Sequence, residues 1–96
     1  MSKITESARG QECQVRISWV CNRNSETTIW AHANGLAAGK GRGLKAPDIL
    51  GSYCCSSCHD VVDGRVSRPK GMSKGDVELD FANGHYRSVV ILVEMD

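Results

Sequence analysis

Cys55-Ser56-Ser57-Cys58-His59 places two thiols two residues apart with an imidazole directly behind the second, and Cys13 and Cys21 lie upstream. Structural zinc takes four ligands in a tetrahedron, and a two-residue spacer lets both sulfurs of a pair point at one ion. Cys55 and Cys58 meet that requirement. Seven residues separate Cys13 from Cys21, a longer gap that works if the intervening segment closes a small loop. Cys54 competes for a place in the set; Cys55, with the two-residue spacing, is preferred. The alternative is that some of these cysteines are small buried hydrophobes.

A metal staple suits the size of the chain. With 96 residues, one Phe, two Trp, two Tyr and ten Gly, residues 1–96 form a single domain that buries only about 60–70% of its unfolded surface. Chains this small commonly need a disulfide or a structural metal. Met1-Ser2-Lys3-Ile4 opens no basic region followed by an apolar one, so a cytoplasmic location is expected, where thiols favour metal over disulfide. The longest apolar run, Val89-Val90-Ile91-Leu92-Val93, falls far short of the roughly 20 residues that span a bilayer, and no membrane partner is expected.

Residues 1–12 are polar and aperiodic and read as an irregular N-terminal arm. Val15-Arg16-Ile17-Ser18-Trp19-Val20, running into Cys21 and the turn-like Asn22-Arg23-Asn24-Ser25, reads as a short hairpin or a zinc loop. Thr27-Thr28-Ile29-Trp30-Ala31 is β-branched and aromatic, a strand that delivers His32. The glycine-rich stretch 34–47 should be an exposed loop. Residues 49–54 return as a second extended segment, and His59 to Asp63 fit a short helix that Gly64 can end. This order outlines an α+β fold, a ββα-metal domain on a small zinc-stapled treble clef. The last fifth supports two readings. Val77, Leu79 and Phe81 alternate and Asn83-Gly84 is a hairpin signal, whereas Ser73 and Asp76 form a capping pattern and Phe81, Tyr86, Val89, Val90 and Val93 share one helical face.

His32 ends a strand just before Asn34-Gly35, where a side chain projects at a turn. A neutral imidazole there can take a proton from water for attack on a phosphodiester; the plainer reading is an exposed loop histidine. His59 and Asp63, spaced i and i+4, can share a divalent cation that polarises a phosphate. Alternatively, His59 replaces a cysteine at the zinc, and Asp63 is a polar helix end. The net charge of +1 hides a basic middle: Lys40, Arg42 and Lys45 in the glycine-rich loop, and Arg65, Arg68, Lys70 and Lys74 after the CxxCH segment. Such clusters can track DNA phosphates, or serve as ordinary solvated charges.

The segments Thr27-Thr28-Ile29-Trp30-Ala31-His32-Ala33-Asn34-Gly35, Gly43-Leu44-Lys45-Ala46-Pro47-Asp48 and Cys55-Ser56-Ser57-Cys58-His59-Asp60-Val61-Val62-Asp63-Gly64-Arg65 resemble a family of small lambdoid phage and prophage proteins. That family is assigned to the HNH, or His-Me finger, nucleases and encoded among phage recombination genes. The resemblance implies an HNH-like domain that cleaves DNA with a divalent cation, magnesium or manganese, with His32 as general base and His59 as a ligand of the catalytic ion. It also tips residues 73–95 toward a C-terminal helix. Two features depart from the usual pattern: Ala31 stands where many such nucleases carry Asp or His, and the central Asn is missing, leaving Asp48 or Asp63 to supply a carboxylate.

Three functions follow for comparison. A metal-dependent DNA endonuclease, whose family setting suggests branched or recombination substrates, needs both His32 and a loosely held divalent ion. A non-catalytic zinc module would bind DNA or a phage recombination protein through its basic segments. A thiol redox protein using Cys55 and Cys58 is the weakest, because no βαβ pattern surrounds the CxxC. An apolar strip on a C-terminal helix would suit a homodimer.

Overall fold

The computed structural model describes residues 3–33 and 49–95. In chain order the elements are α1 (Lys3–Ser7), a 3-10 turn (Ser25–Thr27), β1 (Ile29–His32), β2 (Gly51–Cys54), α2 (Ser56–Val62) and α3 (Lys74–Glu94). This is a small α+β fold with a two-stranded sheet and a C-terminal helix among the described residues.

β1 and β2 run antiparallel, pairing Ile29 with Cys54, Trp30 with Tyr53, Ala31 with Ser52 and His32 with Gly51. Alternation along each strand sends side chains to opposite faces, and each face has its own core. Trp30 and Tyr53 meet edge to face, with ring centroids 5.1 Å apart, and pack with Ala8, Ile4, Ile91 and Leu92. Ala31 and Cys54 face the other way, into a cluster with Val15, Ile17, Val61, Val77 and the remaining buried cysteines.

The arm expected to be irregular carries α1. Five residues are too few to sustain a helix by propensity alone; its support is tertiary, through Ile4 and Ala8 against the aromatic pair and Ser7 Oγ 2.7 Å from the Tyr53 hydroxyl. Val15 to Val20 forms turns rather than a hairpin.

α3 begins at a capping box. The Ser73 hydroxyl accepts from the Asp76 N–H at 3.0 Å, and the Asp76 carboxylate accepts from the Ser73 N–H at 2.9 Å. The helix then covers the outer edge of β2. Ser88 Oγ accepts from the Tyr53 N–H at 3.0 Å and donates to the Gly84 carbonyl at 2.6 Å. The Tyr53 carbonyl is taken by the Gln14 N–H, so a strand edge that would otherwise seek a partner is satisfied within the fold. His85 adds a bond from Nδ1 to the Gly51 carbonyl at 2.7 Å. Asn83-Gly84 is therefore helical, and its glycine serves close packing: a Cβ on Gly84 would lie 2.7 Å from Ser52 Oγ and 2.9 Å from Val15 Cα. Leu79, Tyr86, Val90 and Val93 remain exposed on α3. No helix among the described residues is long and apolar enough to cross a membrane.

Candidate metal centre and adjoining cleft

The sulfurs of Cys13, Cys21, Cys55 and Cys58 all lie within 4.8 Å of one another. Four thiolates about 2.3 Å from a tetrahedral zinc would sit about 3.8 Å apart, and the Cys21 and Cys55 sulfurs are 3.9 Å apart. All five cysteines are free thiols. Cys55, not Cys54, stands in the four-sulfur group.

Local backbone builds the group from both sides. Cys55 is the N-cap of α2, its sulfur accepting from the Cys58 N–H at 3.4 Å, and Cys13 accepts from the Arg16 N–H at 3.5 Å. The N–H groups of Arg23 and Ile17 likewise favour the thiolates of Cys21 and Cys58. Left-handed backbone at Arg16 (φ 53°), Trp19 (φ 68°) and Arg23 (φ 56°) curls the upstream loop. Asn22 ties that loop to α2, its side-chain N–H2 lying 3.2 Å from Ser56 Oγ and 3.2 Å from Ser57 Oγ.

The electrostatics of the group suit a cation. Hydrogen bonds from Cys54 and then Cys58 hold the Cys13 thiol far below its usual range. Hydrogen bonding to Cys13 pushes Cys54 and Cys58 well above theirs, and burial pushes Cys21 up to about 11. One thiolate charge is accommodated by neighbouring thiols; accumulating four such charges requires a positive ion among them. The donor set, spacing and inward-facing amides fit structural zinc.

A second site opens beside the first. Ile29, Trp30, Ala31 and His32 from β1 and His59, Val62, Asp63 and Arg65 from α2 and the residues after it line one open cleft of about 550 Å³. This brings together His32, His59, Asp63 and Arg65. Cys58 faces the sulfurs while the next residue, His59, reaches the cleft.

Within the cleft, His59 Nε2 lies 3.0 Å from Asp63 Oδ2, with both side chains about a quarter exposed. Arg65 clasps the pair: Nη1 donates to Asp63 Oδ2 at 2.9 Å, Nε to Asp60 Oδ1 at 3.1 Å, and Nη2 lies 3.1 Å from His59 Nδ1. A guanidinium only donates, so in its contact with Arg65 the His59 Nδ1 is the acceptor. The carboxylate side of this arrangement suits a divalent cation, and the arginine side suits a phosphate. The role of Arg65 as a clasp is absent from the sequence reading; the charge pattern Asp60, Asp63, Arg65 is the signal that points to it. Lys40, Arg42, Lys45 and Asp48 lie outside the described residues.

The chain matches, over residues 2–96, a family described as "Putative nuclease YbcO". Proteins of that name from Escherichia coli (strain K12) and from Enterobacteria phage 82 are each 48% identical over 66 residues, covering 69% of this chain and 68% of the relative. The fold is similar to a solved structure described as "Structure of a putative bacteriophage protein from Escherichia coli str. K-12 substr. MG1655", at 36% identity with a TM-score of 0.75, covering 93% of this chain and 94% of that one.

Proposed function

The chain belongs to the YbcO family, and from that premise we propose that it is a metal-dependent endonuclease that hydrolyses DNA phosphodiesters in the cleft between β1 and α2. The observation that carries the proposal is the convergence of His32, His59, Asp63 and Arg65 on that cleft. His32 is the general base. It takes a proton from water as the water oxygen bonds to phosphorus, the bond from phosphorus to the departing sugar oxygen breaks, and that oxygen gains a proton from solvent. His59 and Asp63 would hold a magnesium or manganese ion, which when bound would supply positive charge to the phosphate and the leaving oxygen. Arg65, beside Asp63, would offer its paired donors to the phosphate. Structural zinc at Cys13, Cys21, Cys55 and Cys58 fixes α2 and thereby His59. The HNH-like, treble-clef architecture belongs to the same reading, as do Lys40, Arg42 and Lys45 as further phosphate contacts and the exposed strip of α3 as the face for a second copy.

A second reading is a zinc module that binds DNA or a phage recombination protein without cutting. The feature favouring it is Ala31, a buried side chain without a metal-binding atom directly before His32. The two readings separate in a nicking assay: zinc-loaded protein and a His32→Ala variant are incubated with supercoiled and branched DNA in magnesium or manganese, with a chelator control. Cleavage that needs both the ion and His32 supports the nuclease. No cleavage by folded, zinc-loaded protein favours the binding module.

A further inference from the structure

We propose that the loop between Cys13 and Cys21 is a base-stacking contact, with Trp19 as the platform and Arg16 and Arg23 as phosphate contacts, selective for DNA with unpaired bases. The inference rests on the DNA reading above and specifies the form of DNA.

Trp19 is 97% exposed, whereas the other tryptophan, Trp30, is 3% exposed. In a chain with five aromatic residues other than histidine, an indole left in water contributes nothing to the core. Its backbone is also unfavourable. Trp19 occupies the third position of the turn Ile17–Val20, closed by the Val20 N–H on the Ile17 carbonyl at 3.1 Å, with φ at 68°. A positive φ at that position favours Gly or Asn, and a bulky side chain there is an outlier. The surroundings hold it in place: the four-sulfur group pins both ends of the loop, and the Cys21 N–H bonds the Ile17 carbonyl at 2.9 Å. An exposed indole held in a disfavoured conformation on a rigid tip is placed for an external ligand.

The neighbours identify that ligand. Trp19, Arg16 and Arg23 line one concavity of about 480 Å³, with Glu12 as the acid among its lining residues. Arg16 is braced by bonds from Nε to the Cys13 carbonyl and from Nη2 to Gln14 Oε1, both 3.2 Å. Two of its five N–H donors are used in this way, leaving three for an anion. An indole that shares a concavity with two arginines matches a nucleotide with an accessible base face: the base stacks and the flanking phosphates meet the arginines. Stacked bases within a continuous duplex present no such face.

The test uses zinc-loaded full-length protein without magnesium or manganese, titrated with a single-stranded oligonucleotide, a fork with an unpaired arm, and the fully paired duplex. Trp19→Gly is the main variant, because glycine relaxes the left-handed backbone while removing the platform; Trp19→Phe keeps an aromatic face. Single strands are expected to quench wild-type tryptophan emission. Trp19→Gly should bind single strands and the fork about tenfold more weakly and the duplex within about twofold of wild type, with Trp19→Phe in between. Its Tm should equal or exceed that of wild type. Arg16→Ala with Arg23→Ala should flatten the salt dependence by about one to two phosphate contacts. Unchanged single-strand binding by Trp19→Gly overturns the proposal, as does equal weakening on all three DNAs. Loss of a wild-type oligomer with unchanged DNA binding also overturns it and marks the tip as a protein contact. If wild-type protein neither binds nor nicks any DNA, the DNA reading itself fails; if it nicks DNA while Trp19→Gly binds normally, only the stacking contact fails.

Discussion

His59 Nε2 and Asp63 Oδ2 lie 3.0 Å apart, one turn along the same helix, and Arg65 closes on both from the other side. On the proposed chemistry, this hydrogen-bonded knot is the state that a cation and a phosphate would exchange with. On the same chemistry, Asp63→Asn removes the anionic ligand but preserves shape. It is expected to weaken manganese binding by about 10- to 100-fold, a loss typical of disturbing a metal site's ligand environment. Calorimetric titration of the zinc-loaded protein measures it, and zinc content should stay at wild type.

His32 lies at the end of β1, paired with Gly51 and lining the same cleft. His32→Ala should lower nicking by about 10²- to 10⁴-fold, the range attributable to a positioned general base. Zinc content and far-UV circular dichroism should be unchanged. Undiminished nicking would remove His32 from the mechanism.

The four-sulfur group makes a contrasting prediction for two buried cysteines. Cys58→Ser should lose zinc and cooperative folding together, because metal capture at such sites supplies folding free energy of order 10 kcal/mol. Cys54→Ser should keep one zinc per chain, since Cys54 stands outside the group. Metal content and thermal unfolding read both outcomes, and a cooperatively folded, metal-free Cys58→Ser protein would argue against the staple.

Gly84→Ala pits helix propensity against packing. Alanine gains about 1 kcal/mol over glycine within a helix, but its Cβ would lie 2.9 Å from Val15 Cα and 3.0 Å from the Gln14 carbonyl oxygen. Those are backbone atoms, and Arg87 donates to the same Gln14 carbonyl, so neither yields readily. With overpacking costing about 1–3 kcal/mol, the net change should be destabilising by about 1 kcal/mol. A Tm lower by about 4–8 °C is expected by scanning calorimetry of the zinc-loaded protein.

Local signals accounted for much of this arrangement. The β-branched and aromatic run before His32 formed β1, the Ser73 and Asp76 pattern became a capping box, and the Cys55 to Cys58 spacing opened α2 with its sulfurs turned inward. What escaped notice depended on partners distant in sequence. α1 draws its support from Trp30 and Tyr53, beyond the reach of any five-residue pattern. Asn83-Gly84 resembled a hairpin because the requirement for glycine arises from Val15 and Gln14, roughly seventy residues earlier in the chain. The Arg65 clasp depended on three acceptors meeting at a helix end. Trp19 sits in an apolar-rich run, and its exposure comes with the turn Ile17–Val20, which no local pattern announces.

Cys58 and His59 are consecutive residues on a helix of seven, a length that does not persist in water without outside support. On the proposed chemistry, this adjacency acts as a safety catch. On that reading, a chain that had not captured zinc would lack the scaffold to aim His59, and its cutting would wait on the metal. Cutting would then follow zinc occupancy rather than the amount of protein, because folding and aim would be gained in one step.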